Sequence, residues 1–332
     1  MGGQTSAKAP TALRTALAGL VAGIATATLV ACDGAAGTDG RLLVVTTVSP
    51  ITDIVAHVAG EAAEVQGIVP EGADSHTFEP KPSDVRLLAR ADLVILNGLG
   101  LEEPSRRLAE ANLKGGAEVF LLGEHAISPD QYVYDFSFPK EGGKPNPHLW
   151  TDVSLAIRYA ELARDKLADV DRPNAATYRA NAEGYIDLLE ELDTAVIEAI
   201  DTIPTEDRKL LTYHDSFPFF SRRYGIDVIG AIQPSDFSEP SGQDVARLIE
   251  QIRAENVPAI FGSEVYPSPV LEQIARETGA RYESSLRDDD LPGDPGDPEH
   301  SYVGMMLYDV RTIVTGLGGD PSGLDSVPLE PE

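Results

Sequence analysis

The hydrophobic positions of the chain follow two alternating patterns. Short aliphatic and β-branched runs predict buried strands, and longer stretches with apolar residues at every third or fourth position predict helices. The predicted strands are 42–47, 64–69, 93–97 and 118–122 in the first half and 209–212, 227–231, 259–261 and 281–284 in the second. The predicted helices lie near 51–59, 82–90, 103–111, 217–224, 242–255, 269–278 and 301–316.

Strand–helix alternation of this kind predicts parallel sheets that are covered by helices on both faces. Because the alternation occurs once in each half, we expect an α/β fold with two lobes, each a parallel four-stranded sheet flanked by helices. The lobes correspond to residues 41–170 and 204–319, followed by a tail at 320–332.

One long helix is predicted between the two halves, over residues 171–203. Asp171 is a suitable N-cap, and Pro173 lies in the first turn, where proline is tolerated. The apolar stripe of this helix is Tyr178, Ala182, Tyr185, Leu189, Leu192, Val196 and Ile200. Such a helix would be about 45 Å long at 1.5 Å per residue, and as a rigid connection it would limit how far the lobes move apart.

The first 31 residues have the features of a targeting segment. Residues 1–31 contain Lys8 and Arg14 but no acid, and an apolar stretch runs to the small-residue site that precedes Cys32, the only cysteine of the chain. This pattern resembles a bacterial lipoprotein signal, with an ordinary secretory signal as the alternative. We therefore expect Cys32 to carry a lipid, residues 32–40 to form a short tether, and the protein to be anchored to a membrane outside the cytoplasm.

The charge of the chain is strongly negative. Removal of the signal changes the formal net charge from −28 to −30, because two basic residues leave with it. Nucleic acid and anionic lipid surfaces would repel such a chain, so neither is expected as a partner. Cations would be attracted.

Three histidines each follow a predicted strand and are far apart in sequence. His76, His148 and His214 are separated by 72 and 66 residues. Neutral imidazole is a common ligand for zinc, and ligands bind beyond the carboxyl ends of parallel strands. A fourth ligand is then expected after the last strand, where residues 286–291 read LRDDDL. Three imidazoles and one carboxylate would form a closed tetrahedral site between the lobes.

The motifs around these histidines resemble those of the solute-binding lipoproteins of bacterial zinc and manganese ABC importers, the cluster A-I or ZnuA-like family. The markers are the segments DSHTFEP, NPHLW and HDSFPFF, together with the Asp-rich turn. This resemblance implies two lobes joined by one long helix, and delivery of the metal to an ABC permease with its ATPase. A monomer is expected, because it suits delivery to a transporter. It also implies metal ligation by His76, His148, His214 and Asp289, with Asp288 as the alternative to Asp289.

The identity of the metal follows from the ligand types. A site with three imidazoles and one carboxylate favours Zn²⁺ over Mn²⁺. In the family that the chain resembles, manganese-binding members often have glutamate at the third position, which is His214 here, so Mn²⁺ is the alternative. A secreted zinc hydrolase is a further alternative, but it would need an open coordination position and a general base.

Other residues receive weaker assignments. Glu79 and Glu264 are candidates for orienting the ligands, although either could equally serve as a helix cap or an ion-pair partner. His57 lies in a predicted helix, where a structural role is expected. His125 and His300 are expected to be exposed to solvent.

Overall fold

The computed structural model describes residues 40–233, 240–264 and 269–331. The predicted signal and nearly all of the predicted tether, including Cys32, lie outside the described residues. Among the residues that are described, no helix is both long enough and apolar enough to cross a bilayer.

Two parallel four-stranded sheets form the framework, as predicted. The first contains β1 (Leu42–Thr46), β2 (Ala63–Gly67), β3 (Leu93–Leu96) and β4 (Glu118–Leu121) in the order β2-β1-β3-β4. The second contains β5 (Lys209–Thr212), β6 (Asp227–Ala231), β7 (Ala259–Ser263) and β8 (Arg281–Leu286) in the equivalent order β6-β5-β7-β8. The carboxyl ends of all strands in one sheet therefore lie at the same edge.

The helices cover these sheets. They are α1 (Ser49–Ala59), α2 (Pro82–Leu88), α3 (Glu103–Asn112), α4 (Leu122–Ala126), α5 (Val153–Val170), α6 (Ala175–Asp201), α7 (Pro218–Tyr224), α8 (Gly242–Glu255), α9 (Pro269–Thr278) and α10 (Tyr302–Gly316). Several begin with a side-chain cap that the sequence encodes. Ser241, for example, precedes α8 and accepts a hydrogen bond from the backbone N–H of Asp244, whose carboxylate accepts the N–H of Ser241. This reciprocal pairing is a capping box.

The long helix between the halves is α6, and its 27 residues span about 40 Å. Every residue of its predicted apolar stripe is buried. The helix begins later than predicted, because residues 172–174 form a 3₁₀ turn. The carboxylate of Asp171 does not cap the helix, because it accepts no hydrogen bond from a backbone N–H group of the first turn. The carboxylate instead accepts hydrogen bonds from the side chains of Asn174 and Tyr178, at 2.8 and 2.6 Å.

Helix α5, at 153–170, was not predicted from the sequence. Asp152 caps this helix by accepting the N–H of Ser154 at 2.9 Å, and α5 then packs along α6 after the turn at 171–174. Helices α1 and α10, from opposite halves, also pack on α6. The long helix is therefore part of the main core.

One core is shared by both halves, and a second belongs to the C-terminal half. The shared core contains Trp150, Tyr185, Phe219 and Tyr302 among many aliphatic residues. The smaller core surrounds Ile260 and lies beneath α8 and α9. The tail after α10 also packs on the molecule, since a 3₁₀ turn at Ser322–Ser326 places Leu324 and Val327 in buried positions near α6. The two halves consequently share buried surface well away from the strand ends.

Candidate metal centre

The three predicted histidines reach the same place from three separate loops. His76 lies in the loop after β2, and His214 lies two residues after β5. His148 ends the long loop that follows α4 and directly precedes a 3₁₀ turn at Leu149–Thr151. Because the strands of each sheet are parallel, their carboxyl ends lie at one edge of that sheet, where ligands usually bind. The meeting of the three histidines shows that the loops at these edges of the two sheets face each other. The fold therefore brings together residues that the sequence keeps far apart.

The Nε2 atoms of these histidines form a small triangle. The distance from His76 Nε2 to His148 Nε2 is 3.2 Å, from His76 Nε2 to His214 Nε2 3.2 Å, and from His148 Nε2 to His214 Nε2 3.3 Å. His148 and His214 are buried, whereas His76 is partly exposed. All three rings point the same nitrogen at one centre, which is the arrangement that a metal ion requires.

Hydrogen bonds on the far side of two rings fix their tautomers. His148 Nδ1 lies 2.8 Å from Asn146 Oδ1, and His214 Nδ1 lies 2.9 Å from Gln233 Oε1. An amide oxygen can only accept, so both Nδ1 atoms carry hydrogen and both Nε2 atoms are unprotonated in the neutral ring. Two unprotonated nitrogens only 3.3 Å apart repel each other, and a cation between them would remove that repulsion.

The environment also keeps the imidazoles neutral. Burial, together with the nearby imidazole of His214, lowers the pKa of His76 and of His148 well below the usual value of 6.5. Burial lowers the pKa of His214 to about 4, although its hydrogen bond to Gln233 acts in the opposite direction. At neutral pH the site therefore offers metal-binding lone pairs without competing protons.

The carboxylate in contact with the triangle belongs to Asp288. Its Oδ2 lies 3.8 Å from His148 Nε2 and 3.9 Å from His214 Nε2. Asp289, the fourth ligand expected from the sequence, uses both oxygens elsewhere. Its Oδ2 accepts the backbone N–H of Ser75 at 2.9 Å, and its Oδ1 accepts the Ser75 hydroxyl at 3.0 Å. These contacts favour Asp288 as the ligand and give Asp289 the role of holding the segment that precedes His76.

The Asp-rich turn, residues 287–291, is fixed through its backbone. Glu264 Oε1 accepts the N–H groups of Asp288, Asp289 and Asp290 at 2.9, 3.2 and 3.3 Å. The carbonyl of Asp288 accepts the indole N–H of Trp150 at 2.8 Å. Glu264 thus makes the kind of orienting contact considered for it, through the backbone of the turn. Glu79, the other candidate, is exposed to solvent.

An aromatic ring covers the histidines. The centroid of Phe138 lies 5.4 Å from the ring of His76, 5.8 Å from that of His148 and 6.1 Å from that of His214. Because these three distances are similar, the Phe138 ring lies roughly above the centre of the three imidazoles. It therefore screens one face of the triangle of nitrogens from water. A cavity of about 320 Å³ lies beside it and is also lined by His76 and Lys144.

Comparison with known proteins agrees with this site. The family described as "Zinc-uptake complex component A periplasmic" matches residues 44–316. The chain belongs to this family. Membership makes it a metal-binding component of an uptake complex.

Individual relatives show that the metal differs within this group. The manganese-binding lipoprotein MntA of Halalkalibacterium halodurans is 31% identical over 280 residues, which cover 84% of this chain and 90% of MntA. The metal ABC transporter substrate-binding lipoprotein SsaB of Streptococcus sanguinis is 29% identical, with coverage of 89% and 96%. The solved structure of the periplasmic zinc binding protein TroA from Treponema pallidum superimposes with a TM-score of 0.76 at 30% identity, covering 84% of this chain and 99% of TroA.

The remaining histidines take structural positions. His57 in α1 stacks on Tyr185, with ring centroids 4.4 Å apart, and contacts Asp53 and Glu330. Burial opposes protonation of His57, but these two acids raise its pKa to about 9. His125 is exposed, as expected.

His300 is not exposed as expected. Only 15% of its side chain is accessible, and its Nε2 lies 3.3 Å from Glu71 Oε1. Its Nδ1 lies 3.2 Å from the carbonyl oxygen of Pro292. These contacts explain the burial, because they join the loop before α10 to the loop after β2.

Three residues that contact the histidines were not predicted from the sequence. Gln233 lies two residues after the end of β6, so a polar residue near a strand end was the available signal. Asn146 lies within the NPHLW motif, but its hydrogen bond to the ring two residues later needs the fold of the loop. Phe138 lies in a long irregular loop with no periodic pattern, and nothing in the sequence marks it.

Proposed function

We propose that the protein captures Zn²⁺ outside the cytoplasm and delivers it to a membrane permease. The supporting observation is the triangle of Nε2 atoms, in which the buried rings of His148 and His214 are held by acceptors that leave no proton on the metal-facing nitrogen. The proposed ligands are His76, His148, His214 and Asp288, two from each half.

The size of the triangle suits a tetrahedral zinc site. Zinc–nitrogen bonds of about 2.0–2.1 Å give a regular tetrahedron with edges of about 3.3–3.4 Å. The Nε2 atoms are 3.2–3.3 Å apart. Three nitrogen ligands also favour zinc over manganese, because manganese prefers oxygen ligands. Mn²⁺ is the alternative cargo, and the name of the relative MntA is the reason to test it.

The proposed delivery pathway requires a membrane anchor and partners. We infer that residues 1–31 are removed as a lipoprotein signal and that Cys32 carries the lipid, since relatives such as SsaB are named as lipoproteins. The partners would be the permease and ATPase of an ABC importer. A monomer suits this role because each permease must open one cleft between the two halves.

A secreted zinc hydrolase is the less favoured alternative. Catalytic zinc needs an open position for water, and here Asp288 lies beside the position that a water would occupy. Phe138 further reduces the space around the ion.

Elemental analysis of the purified protein, followed by competition between Zn²⁺ and Mn²⁺, tests the proposal. We expect one zinc per chain that is retained in excess manganese. Preferential loading with manganese would replace zinc with manganese as the cargo, and absence of any tightly bound transition metal would contradict the proposed function.

A further inference from the structure

Gln233 contacts the metal-facing histidine from behind and lies in a fixed position. Its side chain is 3% exposed, and its Oε1 accepts the Nδ1–H of His214 at 2.9 Å. Its backbone N–H donates to the carbonyl of Tyr213 at 2.9 Å, which extends the pairing of β5 with β6 by one residue. The amide oxygen is therefore held against the imidazole by the sheet itself.

The partner of the second ring nitrogen influences how strongly an imidazole binds a metal. It fixes the tautomer and the orientation of the ring, and a stronger acceptor makes the metal-facing nitrogen more basic. A carboxylate is a stronger acceptor than a neutral amide. Metal-binding histidines often use a carboxylate here, whereas both buried imidazoles of this site use an amide oxygen.

We propose that Gln233 is the positioning residue that sets the metal affinity of this site. Its amide oxygen holds the proton of His214 on Nδ1, so that Nε2 faces the ion unprotonated. Because the amide is a weaker acceptor than a carboxylate, the bond between Nε2 and the metal stays weak enough for release. This inference rests on the proposed function, because a carrier must give up its cargo while a permanent zinc site need not.

Asn146 has the same contact with His148 but is less suited to this role. Its Oδ1 accepts both the backbone N–H and the Nδ1–H of His148, at 3.0 and 2.8 Å. Its Nδ2 donates to Asp135 Oδ2 and to the carbonyl of Asp215, at 2.8 and 2.6 Å. A change at Asn146 would therefore disturb the contact between the halves together with the imidazole. Gln233 allows the effect on the ring to be tested by an exchange of nearly equal shape.

The charge of the site leads to the same expectation for Gln233→Glu. Three neutral imidazoles, one carboxylate and a divalent ion have a net charge of +1, which is buried. A carboxylate at position 233 would bring this charge to zero and would also strengthen the imidazole as a ligand. Gln233→Leu would remove the acceptor and leave the Nδ1–H unpaired, so the ring would lose its preferred tautomer.

The experiment measures Zn²⁺ dissociation constants by competition with a chromophoric chelator and release rates after addition of excess chelator. We expect Gln233→Glu to bind about tenfold more tightly and to release zinc correspondingly more slowly, and Gln233→Leu to bind about 10- to 100-fold more weakly. Gln131→Glu provides the control. The Oε1 atom of Gln131 accepts the backbone N–H and the hydroxyl of Ser128, contacts that a carboxylate also accepts, so this variant adds equal charge without touching an imidazole. The control variant should have the same zinc affinity and the same release rate as the wild type.

Opposite effects of the two Gln233 variants on zinc affinity would show that Gln233 controls affinity. If its role were merely structural, both variants would bind zinc more weakly. Equal affinity in wild type and Gln233→Leu would overturn the inference, even if the glutamate variant does not fold. So would an additional oxygen ligand in the X-ray absorption spectrum of the zinc-loaded glutamate variant, because the new carboxylate would then bind the ion directly. Failure of the wild type to bind zinc or manganese would instead contradict the proposed function.

Discussion

The fourth ligand can be assigned by comparing Asp288→Asn with Asp289→Asn. Asp288 Oδ2 already lies 3.8 and 3.9 Å from two of the ligand nitrogens, and both distances exceed the edge of a tetrahedral zinc site by only roughly 0.5 Å. Asp289 would first have to release the two hydrogen bonds from Ser75. Each hydrogen bond to a charged group contributes about 1.5–3 kcal/mol. A switch of ligand would therefore cost about 3–6 kcal/mol.

The two variants should consequently differ strongly in zinc affinity. Removing one charged partner from a buried ionic site costs about 3–5 kcal/mol, which corresponds to a loss of roughly 100- to 5000-fold for Asp288→Asn. Asp289→Asn keeps an oxygen that can accept the N–H of Ser75, and its loss should stay below about tenfold.

Both variants should be measured by chelator competition, with circular dichroism as the test of folding. A larger loss in Asp289→Asn than in Asp288→Asn would refute the assignment of Asp288. The expectation from the sequence, which aligned Asp289 with the ligand of the family, would then be correct. Equal losses in the two variants would also contradict the reasoning from the Ser75 contacts.

The remaining predictions concern other parts of the molecule. His148→Ala should abolish tight zinc binding, with His125→Ala as an unaffected control in the same titration. Zinc at 100 times its dissociation constant should raise the free energy of unfolding by about 2.7 kcal/mol, and a chelator should reverse the gain. Phe138→Ala should cost about 3 kcal/mol in urea unfolding and should speed zinc release, whereas the exposed Phe136 should tolerate the same change within about 0.5 kcal/mol. The pKa of His57 is raised to about 9, so its stabilising contribution is complete below pH 6.5 and is lost as the pH rises to 9. The stability difference between wild type and His57→Gln should therefore shrink by on the order of 1–2 kcal/mol over that range, and a constant difference would contradict the role of His57.

The framework of the fold could be predicted because its periodic patterns are strong. All eight strands were found within a few residues, since fully buried parallel strands are short apolar runs between turn residues. The stripe of α6 was found for a similar reason. In contrast, α5 was missed although Asp152 encodes its cap. Its buried face contains Ala156, Ala160 and Ala163, and alanines give a weaker apolar signal than leucine or valine.

The site was predictable in its ligand types and less so in its details. The motifs around the three histidines predicted which side chains meet, because each was expected beyond the carboxyl end of a parallel strand, where such a fold binds its ligands. The choice between Asp288 and Asp289 depends on where Ser75 lies after folding. Adjacent residues of a turn point in different directions, and no sequence pattern encodes which of them faces the ion.

Trp150 is the only tryptophan of the chain, and it donates a hydrogen bond to the carbonyl of Asp288 while its ring lies 5.2 Å from that of His148. Indole emission from this chain therefore arises from one chromophore at the edge of the metal centre. Intrinsic fluorescence should report metal loading on unlabelled protein, without any dye or engineered reporter.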